Sequence, residues 1–233
     1  MPKATTNRLL SRLSPPDFGL LAPHLVLVDL PLRKSLEIPD RAIEQVYFPE
    51  SGFASVVSAG ARAGGERVEV GMIGREGMTG LAIVLGTDRT PNGTFIQNAG
   101  RGLMMPAAEL RRLLKISVPL RDLLTLYAHT FLVQATQTAK ANGRSKIEER
   151  LARWLLMAHD RLESDKLVIT HEFLSMMLGV RRPGVTIALS FLEKAALITT
   201  HRGVISIIDR RGLKRTANGA YGVSETEFNR VFG

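Results

Sequence analysis

The sequence predicts an α+β chain: an antiparallel β domain, then one long helix, then a winged helix-turn-helix. Three observations carry that prediction. Short β-branched and aromatic runs recur about every dozen residues through about the first hundred. Helical periodicity then persists without a break from Leu120 to about Asn142. Finally, Thr170 to Ile208 reads as two short helices about a glycine, followed by a hairpin about His201-Arg202-Gly203.

Asn7 to Leu21 holds short amphipathic helix signals interrupted by Ser14-Pro15-Pro16-Asp17. Leu25–Leu30 and Gln45–Phe48 read as strands, the second running into Pro49-Glu50-Ser51-Gly52. Phe53–Ser58 follows, then Arg67–Ile73, where Val68, Val70 and Met72 alternate with Arg67, Glu69 and Gly71. Thr94–Gln97 and Leu103–Met105 complete a sandwich or barrel, and Pro106–Leu114 begins a helical stretch.

In the long helix Leu120, Leu124, Tyr127 and Phe131 recur at coiled-coil spacing, continued by Gln134 and Thr138. Leu123, Leu126 and Val133 form a second apolar stripe about a third of the way round. One stripe can pack on the barrel. The other needs a cover, most simply a second copy of the chain across a two-fold axis. The seam from Leu120 to Thr138 is the expected dimerisation face; a single buried helix in a monomer is the alternative. Asn142-Gly143 is expected to end this helix and to act as a hinge, and Ser145-Lys146-Ile147-Glu148 to cap the next. Ile147, Leu151, Trp154, Leu155, Ala158 and Leu162 then line one face, packed on the helix-turn-helix. The expected domains are residues 1–116, 117–143 and 144–233.

Thr170 is a good N-cap, and Phe173, Leu174, Met177 and Leu178 make one apolar face around the small Ser175. Gly179 can end the first helix in the left-handed conformation, with Val180 as a plug beneath the turn. The second helix starts near Arg181 with Pro183 in its first turn. Val185, Ala188, Leu189 and Leu192 form its buried stripe, which leaves Arg181, Arg182, Thr186, Ile187 and Ser190 outward. In a helix-turn-helix that second helix enters a major groove. A plain helical hairpin with a glycine cap is the bland alternative. The paired arginines and the hairpin tip, His201 and Arg202, decide for double-stranded DNA.

The net charge of +9 is concentrated in that region. Between Arg181 and Arg215 eight basic residues face two acids, a net +6, which is the footprint of a phosphate-binding surface. The chain has no cysteine, which excludes disulfides and thiolate metal or redox sites. The five histidines fall on separate elements without metal-ligand spacing, and no Gly-x-Ser-x-Gly elbow is present, so neither a catalytic nor a metal site is expected. No apolar run approaches the roughly 18 residues of a membrane span. Met1 to Leu10 lacks an apolar signal core, so a cytoplasmic protein with no membrane partner is expected.

Barrel, long helix, glycine hinge and winged helix-turn-helix, in this order, resemble the Crp–Fnr superfamily of bacterial transcription regulators. The residues that carry the resemblance are Val46-Tyr47-Phe48-Pro49-Glu50-Ser51-Gly52, Val68-Glu69-Val70-Gly71-Met72-Ile73-Gly74-Arg75-Glu76-Gly77, and Leu178-Gly179-Val180-Arg181-Arg182-Pro183-Gly184-Val185. The resemblance implies a cyclic-nucleotide-binding-like jelly-roll sensor domain, a homodimer built on the long helix, a near-palindromic operator, and RNA polymerase as a further partner. Two departures qualify it. Members that respond to cyclic AMP carry Arg-Ser-Ala or Arg-Thr-Ala in the phosphate loop, whereas the comparable place here reads Asn92-Gly93-Thr94-Phe95. A missing phosphate-anchoring arginine costs about 1.5–3 kcal/mol or more. The expected effector is therefore a cyclic nucleotide other than cyclic AMP or another small molecule, held around Gly74, Glu76, Gly77, Arg89 and Thr94; the alternative is a barrel that only scaffolds a dimer. The glycines there can aim N–H groups at an anion, or serve turns and close packing. The second departure is in the reading helix. Arg182 matches the family's first arginine, but Pro183 stands in the glutamate place and Ile187 at a later reading position, so the operator does not carry over.

Overall fold

The computed structural model describes residues 5–58 and 67–233, so the first four residues of the stretch without a signal core lie outside the described residues. In chain order the elements are α1 (Pro15–Leu21), β1 (Val26–Leu30), β2 (Ser35–Glu37), β3 (Gln45–Pro49), β4 (Phe53–Val57), β5 (Glu69–Ile73), α2 (Leu81–Val84), β6 (Gly93–Asn98), β7 (Gly100–Pro106), α3 (Ala107–Ile116) and α4 (Val118–Arg144). They continue with α5 (Ile147–His159), β8 (Lys166–Val168), α6 (His171–Leu178), α7 (Arg182–Lys194), β9 (Ile198–His201), β10 (Val204–Ile207), α8 (Arg210–Thr216) and α9 (Val223–Phe232). Two compact units result, residues 1–56 with 72–132, and residues 57–71 with 133–233. This division differs from the expected boundaries at 116 and 143. The second half of α4 and, among the described residues, 57–58 and 67–71 go with the C-terminal unit.

The first unit is the expected β domain. Its strands form two sheets, ordered β1-β7-β3 and β2-β6-β4-β5. Neighbours far apart in sequence pair antiparallel: Val26 faces Met104, Val46 faces Met105, and Ser35 faces Phe95. Such long-range closure is the connectivity of a jelly roll. Leu30, Tyr47, Ala54 and Ile96 form a buried cluster. The fully buried Asn7 ties the N-terminal segment down. Its Nδ2 donates to the carbonyls of Pro49 and Gly77, both at 2.9 Å, and its Oδ1 accepts from the N–H groups of Leu9 and Leu10.

In the second unit α4 runs through Asn142-Gly143 to Arg144, two residues beyond its expected end. The Ser145 amide still donates to the Ala141 carbonyl at 2.9 Å. Ser145 is thus committed to the end of α4 and does not cap α5. The box shifts by one residue, with the Lys146 amide donating to Glu149 Oε2 at 3.0 Å. Leu151, Leu155 and Leu156 are completely buried on α5, which packs on α7 and α8. Arg153 on the same helix is buried, its Nε donating to the Ala220 carbonyl (2.9 Å) and its Nη2 to Thr138 Oγ1 (3.0 Å). Trp154 Nε1 donates to the buried Glu69 at 2.9 Å. Among the described residues no helix is long and apolar enough to cross a membrane.

Candidate nucleic-acid interface

The reading head follows from local chemistry. Thr170 Oγ1 accepts the Phe173 amide at 3.3 Å and opens α6. Gly179 closes it at φ +58°, a conformation that costs a residue with a Cβ about 1 kcal/mol or more. Arg181 is the N-cap of α7, and Arg182-Pro183 begin it. Val185 and Leu192 are fully buried and Ala188 and Leu189 nearly so, as the periodicity predicts. Val180 is only half-buried, so it plugs the turn partially. Around the start and the uncovered side of α7, Arg181, Arg182, Thr186 and Ile187 are exposed, with Ser190 half-buried. Thr186 Oγ1 is turned back on its own helix, 3.2 Å from the Arg182 carbonyl.

The wing is a three-stranded sheet ordered β8-β10-β9. His201 pairs with Val204, so Arg202-Gly203 is a two-residue turn, with φ of +45° and +80°. Two successive positive φ values are the signature of the tight hairpin turn whose twist matches the strands. Arg202 is thus held in a left-handed conformation at the exposed tip, local strain of the kind stored at working sites. Glu193, which sequence reasoning did not single out, fixes the wing to the reading helix. Its Oε1 accepts the amide of Thr200 at 2.8 Å and its hydroxyl at 2.5 Å. Its only sequence signal is that it is an acid in a basic segment.

Not every basic residue of this region can meet phosphate. Arg210 is turned inward, bonded to Asp160, to Tyr221 Oη at 2.9 Å and to His159 Nδ1 at 2.8 Å. Tyr221 donates to Asp160 at 2.7 Å; burial, reinforced by that carboxylate, pushes its phenol pKa up. Arg215 lies 3.5 Å from Asp209. No carboxylate among the described residues pairs with Arg181, Arg182 or Arg202, which remain open to an external anion.

Residues 149–216, spanning α5 to α8, match the family model of the Crp-like helix-turn-helix domain. No curated protein matches the chain significantly. Solved structures share its fold over most of its length. One is a protein assigned to the crp/fnr family of transcriptional regulators from Eubacterium rectale, at 17% identity and TM-score 0.71, covering 91% of this chain and 98% of that one. FixK2 from Bradyrhizobium japonicum matches at 17% identity and TM-score 0.70, over 82% of this chain and 96% of its own. The c-di-GMP-responsive global regulator CLP of Xanthomonas campestris matches at 16% and TM-score 0.62, over 83% and 99%. Residues 149–216 are thus a Crp-like helix-turn-helix domain, and the chain as a whole shares the fold of these regulators.

The other residues expected to work in this chain fall into three groups. Gly74, Glu76 and Gly77 share one turn, in which the Gly77 amide donates to the Gly74 carbonyl and Glu76 Oε1 accepts the Gly74 amide at 3.1 Å. A Cβ on Gly77 would sit 2.0 Å from Tyr127 Oη, so close packing against α4 already requires this glycine. Arg89 is exposed and paired with its neighbour Asp88 at 3.1 Å. Thr94 faces inward and donates its hydroxyl to Glu37 Oε2, while Glu37 Oε1 accepts the Gly80 amide at 2.6 Å. Glu37 escaped sequence reasoning because a single acid on a three-residue strand carries no pattern. It is only 8% exposed, and burial pushes its carboxyl pKa up against the two hydrogen bonds that lower it.

On α4 the structure covers the stripe expected to meet a second copy. Leu120, Leu124, Tyr127, Gln134 and Thr138 are buried within their own protomer, and Phe131 is half-buried. Side chains already covered have little surface left to offer a second copy. The more exposed line is Leu126, His129 and Thr136, with Val133 half-buried between them; Leu126 is 46% and the flanking Leu132 63% exposed. Its spacing is again that of a coiled-coil seam.

Proposed function

We propose that this chain is a Crp–Fnr-type transcription regulator, working as a homodimer that reads a near-palindromic operator. The observation that carries the reading is the exposed N-terminal turn of α7, where no carboxylate among the described residues pairs with Arg181 or Arg182, beside a wing whose tip presents Arg202. In this reading α7 lies in the major groove, Arg182 reaches guanine O6 and N7, and Arg202 and His201 lie against phosphate. Two copies related through the exposed face of α4 would present two reading helices about 34 Å apart. RNA polymerase is the further partner such a regulator would recruit.

The barrel is read as a sensor that does not take cyclic AMP. Glu37 already occupies the Thr94 hydroxyl and the Gly80 amide, and its carboxylate would repel a phosphate there. An effector would then be a small molecule of different charge or placement. Should every small molecule leave the chain unmoved, the barrel is a scaffold for the dimer. Selection of binding sites from random duplex DNA tests the regulator reading. A near-palindrome with half-sites about one helical turn apart is expected; failure to enrich any sequence would contradict it.

A further inference from the structure

The middle of the reading face is apolar. At about 100° per residue, the buried Val185, Ala188, Leu189 and Leu192 define an inward direction on α7. Pro183, Ile187, Ser190 and Lys194 lie within about 30° of the opposite direction, whereas Arg182 lies about 110° from it. Pro183 has no donor and Ser190 is short and half-buried. Lys194 is exposed at the last position of the helix, so Ile187, 71% exposed, is the large side chain at the centre of this face. Phe191, one turn later, is 50% exposed and extends the apolar line. The Thr186 hydroxyl beside it is engaged with the Arg182 carbonyl.

A single exposed aliphatic residue means little by itself. This one follows the exposed Arg181 and Arg182, which no carboxylate among the described residues pairs, on the helix that Glu193 ties to the wing strand leading to Arg202. Those cations complement a phosphate backbone and make the occupant of this face duplex DNA. On the base edges of a major groove only one apolar group is offered, the C5 methyl of thymine. We propose that Ile187 reads a thymine methyl, so that each half-site carries a thymine at a fixed position that no hydrogen bond specifies. This rests on the DNA-reading assignment above and adds a base identity to it.

The probe is the selected duplex, resynthesised with deoxyuridine in place of each thymine in turn, which removes the methyl and nothing else. The wild-type chain should lose about fourfold in affinity per half-site at one symmetric thymine position, the effect of one methyl-sized apolar contact. Ile187→Ala should bind the thymine and deoxyuridine duplexes equally, and Ile187→Val should retain part of the difference. Because Ile187 is exposed, these variants keep the core, which circular dichroism verifies. A chain that selects an operator but ignores every thymine methyl overturns the proposal and leaves the regulator reading standing. A methyl effect that survives in Ile187→Ala also overturns it, since another side chain then makes the contact. If Ile187→Ala leaves DNA binding unchanged and instead alters the assembly state in light scattering, the apolar line meets protein and the proposal fails. A chain that selects no sequence removes the regulator reading itself.

Discussion

At the scale of single residues, Glu37 is the group whose surroundings make the sharpest demand. Its carboxylate is buried against Thr94 and Gly80 with no cation among the causes that shift it, and burial raises its pKa. A folded-state pKa above the unfolded one gives a contribution to stability that is full below the ordinary value of 4.5. That contribution is lost as pH rises through the folded value. Glu37→Gln does not titrate and still offers an acceptor to Gly80. Thermal midpoints should therefore show the variant gaining on the wild type as pH rises from 4.5, with the gain levelling off above the folded pKa. Cyclic AMP should leave the wild-type midpoint unmoved at neutral pH, since a ligand bound only by the native state must raise it. A flat difference across pH, or a midpoint raised by cyclic AMP, contradicts this account of the barrel.

At the scale of elements, α4 shows what a pattern can and cannot tell. Its periodicity announces two apolar stripes equally well, because both repeat at three- and four-residue spacing. Which of them the chain covers by itself depends on contacts distant in sequence, such as Tyr127 against Gly77, and these decide for the Leu120–Thr138 seam. Local chemistry was legible wherever it acted alone. Thr170 caps α6 as its side chain predicts, and Gly179 ends it in the left-handed conformation. Where two elements compete for one residue the prediction slips, as at Ser145, whose amide serves α4 and passes the capping role to Lys146 and Glu149. Strands β2 and β8, three residues each, are too short to show alternation. In α8 the basic run Arg210–Arg215 hides a helix capped by Asp209, which accepts the Gly212 amide at 2.9 Å. Which face of α4 meets a second copy is testable. Leu126→Glu with Val133→Glu should yield a folded monomer by light scattering and circular dichroism. Leu124→Ala should instead lower stability by about 2–5 kcal/mol and leave the assembly state alone. A dimer that survives the double change lies on another surface.

At the scale of the whole molecule, charge and fold agree. Of the net charge of +9, +6 falls between Arg181 and Arg215, on the reading helix, the wing and α8, and Arg210 is engaged internally. Binding should accordingly be steep in salt, since each neutralised phosphate releases a counterion. The central claim is a division of labour, with Arg182 reading a base and Arg202 holding the backbone. The direct measurement titrates wild type, Arg182→Ala and Arg202→Ala against operator and scrambled duplex at several salt concentrations. Arg182→Ala should lose about 1–3 kcal/mol per half-site on the operator only and relax one symmetric position. Arg202→Ala should weaken both duplexes alike and lower the salt slope by about one phosphate per subunit. If Arg182→Ala weakens operator and scrambled duplex equally, Arg182 is another phosphate clamp, and the assignment of base reading to it is wrong.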